Sequence, residues 1–217
     1  MSKVRILEPG FLTTIQDRPR YGLARFGLSE AGPAAPASFA LANRLAGNDG
    51  AGASLEVTLK PPRLLFLGAA TLGIAGADFA WKLDGRPVDP RRTIHVRPGA
   101  TLHGDYCRSG LRGYIAFHGG LPFPRWRDSA ATHLEAGFGG QRLERHQELE
   151  VPPAEARIRV EQGEAPAGPL IVNGAKTLRI LAGPQQNLFP PEALSLLAGS
   201  MYRVTEHSNR TALRLDG

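Results

Sequence analysis

The stretch RLLFLGAATLGIAGADFAWKLDGRPV, residues 63–88, decides how the chain folds. It holds the apolar runs RLLFL, ATLGIAG and FAWKL, each short and each bounded by glycine, alanine or the dipeptide Asp84-Gly85. Runs of this length between turn formers read as strands, because a helix needs a longer stretch with apolar residues three and four apart. Asp84-Gly85 tolerates the positive φ of a tight hairpin, so the runs on either side of it are expected to pair. Upstream, VRIL, LTTI and SLEVTL repeat the pattern; downstream, TIHV, ATLHG and RGYIAFHG continue it. The spacing predicts an all-β barrel or sandwich. Only two stretches predict helix. PASFALANRLAGN begins with Pro36 in a first-turn position, sets Phe39, Ala42 and Ala46 along one face, and stops at Gly47. PPEALSLLAGS has Pro191 and Glu192 in its first turn and Gly199 as its stop.

Composition narrows the function. A chain of 217 residues with 42% hydrophobic content can bury a sizeable core. No window approaches the roughly 18 unbroken apolar residues of a membrane-spanning helix. The start MSKVRILEPG lacks the apolar run of a secretory leader, so the chain reads as cytoplasmic, with no membrane partner. The single cysteine, Cys107, excludes an internal disulfide, and no two of the six histidines stand at metal-ligand spacing, so no metal is expected. A net charge of +6 raises the question of nucleic acid. The cations are interspersed with acids and no basic run exceeds Arg91-Arg92, so no nucleic-acid partner is expected.

No self-contained catalytic signature stands out. GPLIVNGAKT, residues 168–177, is close to a phosphate-binding loop, but Ala175 separates Gly174 from Lys176 and moves the lysine off its phosphate. FHGG, residues 117–120, is like a lipase oxyanion loop without the Gly-x-Ser-x-Gly elbow that would accompany it. The chain is therefore expected to bind no cofactor of its own.

A resemblance is carried by ILEPGFLTTIQDRPRYG, FALANRLAGN, SLEVTL, IAGADF, GYIAFHGG, LRILAGPQ and SNRTALRLDG, which follow one another along nearly the whole chain. Together they resemble the allophanate-hydrolase subunit 2 family. This is the KipA or PxpC group, also described as the biotin-dependent carboxyltransferase-like domain with subdomains A and B. The resemblance implies a mainly β fold of cyclophilin-like β-barrel subdomains carrying the two short helices. It also implies a second subdomain whose end falls beyond Gly217 and which is expected to be incomplete here. With the composition shift between Pro152 and Lys176, it predicts a first subdomain over 1–155, a linker over 156–176 and the start of a second subdomain over 177–217. Relatives act with a KipI or PxpB-like subunit and a lactam-utilisation-type subunit that uses ATP, so ATP is expected on a partner. The implied activity is that of a subunit of an ATP-dependent 5-oxoprolinase-type amidohydrolase, inactive alone. The alternatives are a KipA-like non-catalytic regulator and the carboxyltransferase domain of a urea carboxylase-type system. Where relatives commonly carry Ser-Gly-x-Met-Asp, this chain has AGPAAP, residues 31–36, without the acid.

For 5-oxoproline, a lactam bearing a carboxylate, a site needs a cationic fork and amide-like donors and acceptors. Arg20 and Gln16 are of the right types, with Asn43, Ser208 and Arg210 as further substrate-binding candidates. Asp17 and Glu56 are the catalytic candidates. In LTTIQD, Thr14 and Gln16 project to one face and Thr13, Ile15 and Asp17 to the other, so Gln16 and Asp17 share a cleft only if the strand bends or ends there. Glu56 faces away from Leu55 and Val57, toward water or a polar pocket. Each candidate has a structural alternative. Asp17 could cap a turn, Gln16 bond at a strand edge, and Arg20 pair at the surface. Asn43 could tie the helix down, and Ser208 and Arg210 could be a turn and a strand residue. Ser129 and Thr132 read as turn or capping residues.

Overall fold

In a computed structural model, residues 1–49, 51–90, 92–154, 179–210 and 212–217 are described. They fall in two units, Met1–Asn173 and Gly174–Gly217. The linker expected at 156–176 and the loop GPLIVNGAKT lie outside the described residues.

Alternation in the first unit sorts residues between a core and an outer face. In β1 (Ser2–Glu8), Val4 and Ile6 are fully buried, while Lys3 and Arg5 point outward to Glu148. After β2 (Leu12–Gln16) comes the helix α1 (Pro36–Leu45), followed by β3 (Ser54–Thr58), β4 (Arg63–Phe66) and β5 (Ala70–Asp78). Then follow β6 (Lys82–Leu83), β7 (Arg86–Pro87), β8 (Ile94–Val96), β9 (Thr101–His103), β10 (Ser109–Phe117) and β11 (Glu148–Val151). All pairings are antiparallel, in a six-stranded sheet ordered β11-β1-β4-β9-β6-β7 and a five-stranded sheet ordered β2-β3-β10-β5-β8. Asp84 and Gly85 take φ of 50° and 78°, and β6 pairs with β7 across them, as the dipeptide predicts.

The inner faces of both sheets share one apolar core, with Val4, Ile6, Leu64, Phe66 and Leu102 from one sheet and Ile15, Leu55, Leu72, Ile74 and Ile115 from the other. The barrel expected from the sequence takes the form of two sheets wrapped on this core, not a closed hydrogen-bonded cylinder. One side is sealed by the segment 141–151. Its first residues pair with β2, through Ile15 N to Gln141 O (3.0 Å) and Leu143 N to Thr13 O (2.9 Å), and its last residues, as β11, pair with β1. The other side is a seam between the edge strands β7 and β8.

Helix α1 covers the outer face of the five-stranded sheet, which is why β5 and β10 are buried on both faces where it lies. Phe39, Ala42 and Ala46 pack on Ala75, Tyr114 and Ala116, with the Phe39 and Tyr114 rings edge-on at 5.7 Å. The contact is so close at Gly73 that a side chain there would strike Ala42 O, Ala46 N and Leu45 Cβ.

In the second unit, a single 3-10 turn (Gln186–Leu188) precedes α2 (Ala193–Gly199), and β12 (Arg203–Val204) pairs with β13 (Leu215–Asp216). The helix read from PPEALSLLAGS is present. Residues 179–181, in the apolar run LRIL, are not in a strand. None of the unit's described residues is buried, so these residues provide no apolar core to hold a strand there. Among the described residues no helix is long and apolar enough to cross a membrane.

Two measurements test this packing. Gly73→Ala should destabilise the protein by about 1–3 kcal/mol in urea denaturation, since the helix must move off the sheet. Glu148 is held below the ordinary carboxylate range by its bonds to Arg5 and Lys3. A depressed folded-state value means stability that is present above the unfolded value and lost as pH falls through the folded one. Glu148→Gln should therefore be less stable than the parent near neutrality and converge with it in strong acid.

Candidate functional site

Strand β2 stops at Gln16 because the Asp17 carboxylate folds the chain. Its Oδ1 accepts from Arg18 N (2.8 Å), and Pro19 follows, which cannot donate to a ladder. The bend lets Gln16 and Asp17, which would sit on opposite faces of a straight strand, both meet the segment 125–132. Asp17 is fully buried, and its Oδ2 accepts from Arg125 Nε and Ala130 N, both at 3.1 Å.

Arg20 is 1% exposed and grips the same segment by its carbonyls. Its Nε donates to Trp126 O (3.1 Å), and its Nη2 donates to Ser129 O (2.9 Å) and Ala131 O (2.6 Å). The guanidinium carbon lies 5.0 Å from the Phe138 ring centre and 5.8 Å from that of Trp126. Burial pulls its pKa below the usual arginine value, and the charge of Asp17 opposes that shift. Gly139 lies so close that a side chain there would strike Ala131 O and Arg20 Nη2.

The segment so held is strained. Trp126 and Ser129 exchange backbone hydrogen bonds of 3.0 and 3.2 Å around Arg127 and Asp128, whose φ angles are 52° and 60°. Positive φ at both central residues marks the type I′ turn, which Asn-Gly fills without cost and Arg-Asp does not. The hydroxyl of Ser129 donates to Arg18 O and accepts from Ala131 N, while Thr132 Oγ1 donates to Ile15 O at 2.7 Å.

Gln16 is fully buried, and its Nε2 donates to Thr14 Oγ1 (3.1 Å) and Thr132 O (3.3 Å). Two buried atoms of this cluster have no hydrogen-bond partner among the described residues, the acceptor Gln16 Oε1 and the donor Arg20 Nη1. Such atoms are costly to bury and mark places where a further polar group would bind.

Gln16 also belongs to a polar layer on the helix-covered face of the five-stranded sheet. Cross-strand register sets Gln16 opposite Ser54, and sets Thr14, Glu56 and Tyr114 in one row. Glu56 is 2% exposed, so its side of the strand is a polar pocket and not water. Its Oε2 accepts from Tyr114 OH (2.7 Å) and Ala34 N (2.8 Å), and Arg112 Nε lies 3.9 Å from its Oε1. Ala35 N donates to Tyr114 OH (2.8 Å), so the acid and phenol anchor the AGPAAP loop at the start of α1. Asn43 spends all four of its hydrogen-bonding positions on the protein. Its Nδ2 donates to Phe39 O and Ser54 Oγ, and its Oδ1 accepts from Asn48 Nδ2 and Gly52 N.

The structure thus brings Gln16, Asp17 and Arg20 together on one segment and connects Glu56 and Asn43 to them through Gln16. Asp17 accepts from Arg18, Arg125 and Ala130, and Glu56 from Ala34 and Tyr114. Ser208 and Arg210 belong to the second unit, where Ser208 Oγ accepts from Arg214 N (2.9 Å) and donates to Arg214 O (3.3 Å). Ser129 and Thr132 bond backbone at and beside a turn, in keeping with the turn or capping role read for them. Sequence reasoning missed Trp126, Phe138 and Gly139. Their only signal in the sequence is the turn-rich composition of PRWRDSAATHLEAGFGG. His133 and Ser29 also meet, Nε2 to Oγ at 2.9 Å, but Ala136 N donates to Nδ1. The neutral ring's proton therefore sits on Nε2, facing Ser29, so this pair ties two loops together and is not a nucleophile with its base.

Comparison with known proteins agrees with this architecture. The family described as carboxyltransferase domain, subdomain A and B, matches residues 26–217. The urea amidolyase of Saccharomyces cerevisiae is 31% identical over 229 residues, covering 99% of this chain and 12% of that protein. A 5-oxoprolinase subunit of Escherichia coli is 28% identical over 220 residues, covering 99% of this chain and 68% of that protein. The crystal structure of the K. lactis urea amidolyase superposes with a TM-score of 0.82 at 26% identity, covering 99% of this chain and 14% of that one. This chain thus spans about an eighth of the urea amidolyases and about two thirds of the bacterial protein. Gln16, Asp17 and Arg20 precede the residues matched by the family but lie within the alignments to these relatives.

Strain at the 126–129 turn yields a test. Replacing Arg127 by Asn and Asp128 by Gly should raise stability by about 1–2 kcal/mol, the approximate cost of left-handed backbone at a non-glycine residue. In that background Arg20→Lys should cost measurably less than in the parent. Strictly additive losses in the double-mutant cycle would show that Arg20 does not restrain the turn.

Proposed function

This chain belongs to the carboxyltransferase domain family, subdomain A and B, and on that footing we propose that it is the substrate-binding subunit of a 5-oxoprolinase-type amidohydrolase. The observation that carries the reading is the pair of unpartnered buried atoms, Gln16 Oε1 and Arg20 Nη1. A lactam N–H satisfies the acceptor, and a carbonyl or carboxylate oxygen satisfies the donor. In this role Gln16 and Arg20 contact the substrate. Asp17 is a positioning residue that holds the segment against which they close. Glu56 and Asn43 fix the helix and its leading loop beneath that segment.

Chemistry on the ring needs activation that this chain's residues do not provide. We assign that step to partner subunits of the KipI or PxpB-like and ATP-using lactam-utilisation types, with this chain orienting the lactam for attack. Relatives that are named as a subunit, or that are many times longer than this chain, support operation within a larger assembly. Both unpartnered atoms are shielded from solvent, so entry of the ring requires part of the cover over Gln16 and Arg20 to move. A second reading, a carboxyltransferase domain of a urea carboxylase-type system, is favoured by the likeness to the urea amidolyases.

The test is reconstitution of the chain with both partner types, following glutamate and ADP formation from 5-oxoproline. Turnover should require all three proteins. Gln16→Met should lower turnover about 10-fold or more and cost about 1–3 kcal/mol of stability, because it removes a substrate bond together with the donor to Thr14 Oγ1 and Thr132 O. A complete complex that leaves 5-oxoproline intact but consumes carboxybiotin would select the second reading.

A further inference from the structure

The seam between the two sheets is a cavity of about 650 Å³, lined by Leu83, Asp84, Arg86, Pro87, Val88, Ile94, His95 and Arg97. That volume lies within the range of small-ligand sites, roughly 300–1,000 Å³. Its floor is the outer surface of the core. Ile94 belongs to the core, and Leu83 and Val88 pack against it. A second strand cannot readily close the seam, since Pro87 in the edge strand β7 has no N–H to offer a ladder.

Charge on the rim has one sign to spare. Asp84, the only acid among the lining residues, accepts from Thr101 N (2.8 Å) and pairs with Arg97 Nη2 (3.3 Å). Arg86 stands directly across β6–β7 from Leu83 and makes no ion pair within 4 Å among the described residues. Its charge joins the Thr101 N–H and Arg97 in holding the Asp84 carboxyl below the usual range, so two guanidiniums share one acid. On the facing strand β8, His95 is steadied by Thr71, with Nδ1 at 3.4 Å from Oγ1. An apolar floor beside one guanidinium more than the acid can match is complementary to an apolar body ending in an anion.

We propose that the open seam between β7 and β8 binds a small amphipathic monocarboxylate, its hydrocarbon on Leu83, Val88 and Ile94 and its carboxylate on Arg86. The lining shares no residue with the Gln16–Arg20 cluster, so this site stands or falls independently of the lactam reading.

Sodium octanoate is the probe, titrated into the isotopically labelled full chain and followed by amide shifts. Saturable binding with shifts confined to residues 82–97 and their neighbours on β5 and β9 is the expected result. Arg86→Ala, an exposed position whose loss leaves the core intact, should weaken binding about 10-fold. Octylamine, with the same chain and the opposite charge, should fail to saturate. Absence of saturation by octanoate, shifts spread over other faces, equal affinity in Arg86→Ala, or equal binding of octylamine would each overturn the assignment.

Discussion

Burial of the Arg20 guanidinium against the carbonyls of Trp126, Ser129 and Ala131 is the constraint on which the amino-terminal site depends. A cation taken out of water is expensive unless every direction of its charge is met. Here three carbonyls, two aromatic faces and the nearby Asp17 meet most of it. Each bond from the charged donor contributes about 1.5–3 kcal/mol, more than the left-handed backbone costs at Arg127 or Asp128. The turn therefore keeps a conformation that its own residues disfavour. Arginine, which would serve a free anion from solvent, instead serves the protein's backbone with all but one of its nitrogens.

The five-stranded sheet is two surfaces in one. Leu55, Val57, Ile15 and Ile115 face the shared core, and on the reverse Thr14, Gln16, Ser54, Glu56 and Tyr114 form a polar layer beneath α1. Burying so many polar groups is tolerable only because each finds partners, as the four bonds of Asn43 and the clasp of Glu56 on Tyr114 and Ala34 show. Gln16 Oε1 and Arg20 Nη1 are exceptions to this satisfaction, as is Arg112 Nε beside Glu56. At the far side of the same fold, the two sheets stay open where β7 carries a proline, and an apolar floor reaches the surface there.

Much of the fold is legible in the sequence because its signals are local. Asp84-Gly85 adopts the left-handed pair that a tight hairpin needs, and Pro36 begins the helix that its ring geometry suits. The period of two in VRIL and SLEVTL sorts core from cover. The candidate site is legible as a set of residue types, Gln16, Asp17 and Arg20, but their roles are not. Asp17 has the chemistry of a catalytic acid, yet its carboxylate is occupied by Arg18, Arg125 and Ala130. Asn43 has the chemistry of a substrate ligand, yet its amide is saturated by the protein. The apolar run LRIL forms no strand over residues 179–181, because local propensity forms a strand only when a core receives it.

The sequence by itself determined the position of most strands of the first unit, which of their faces are apolar, and to which family the chain is kin. Those properties reside in dipeptides, periods and short motifs, whose physics acts over a few residues. Only the tertiary structure decided most of what Gln16, Asp17 and Arg20 touch, because the partners that bring them together lie more than 100 residues onward, between Arg125 and Thr132. The closure of one side of the sheets by segment 141–151, and the opening of the other beside Pro87, were settled in the same way. Hydrogen bonds between distant segments depend on packing geometry, and no stretch of sequence carries that geometry alone.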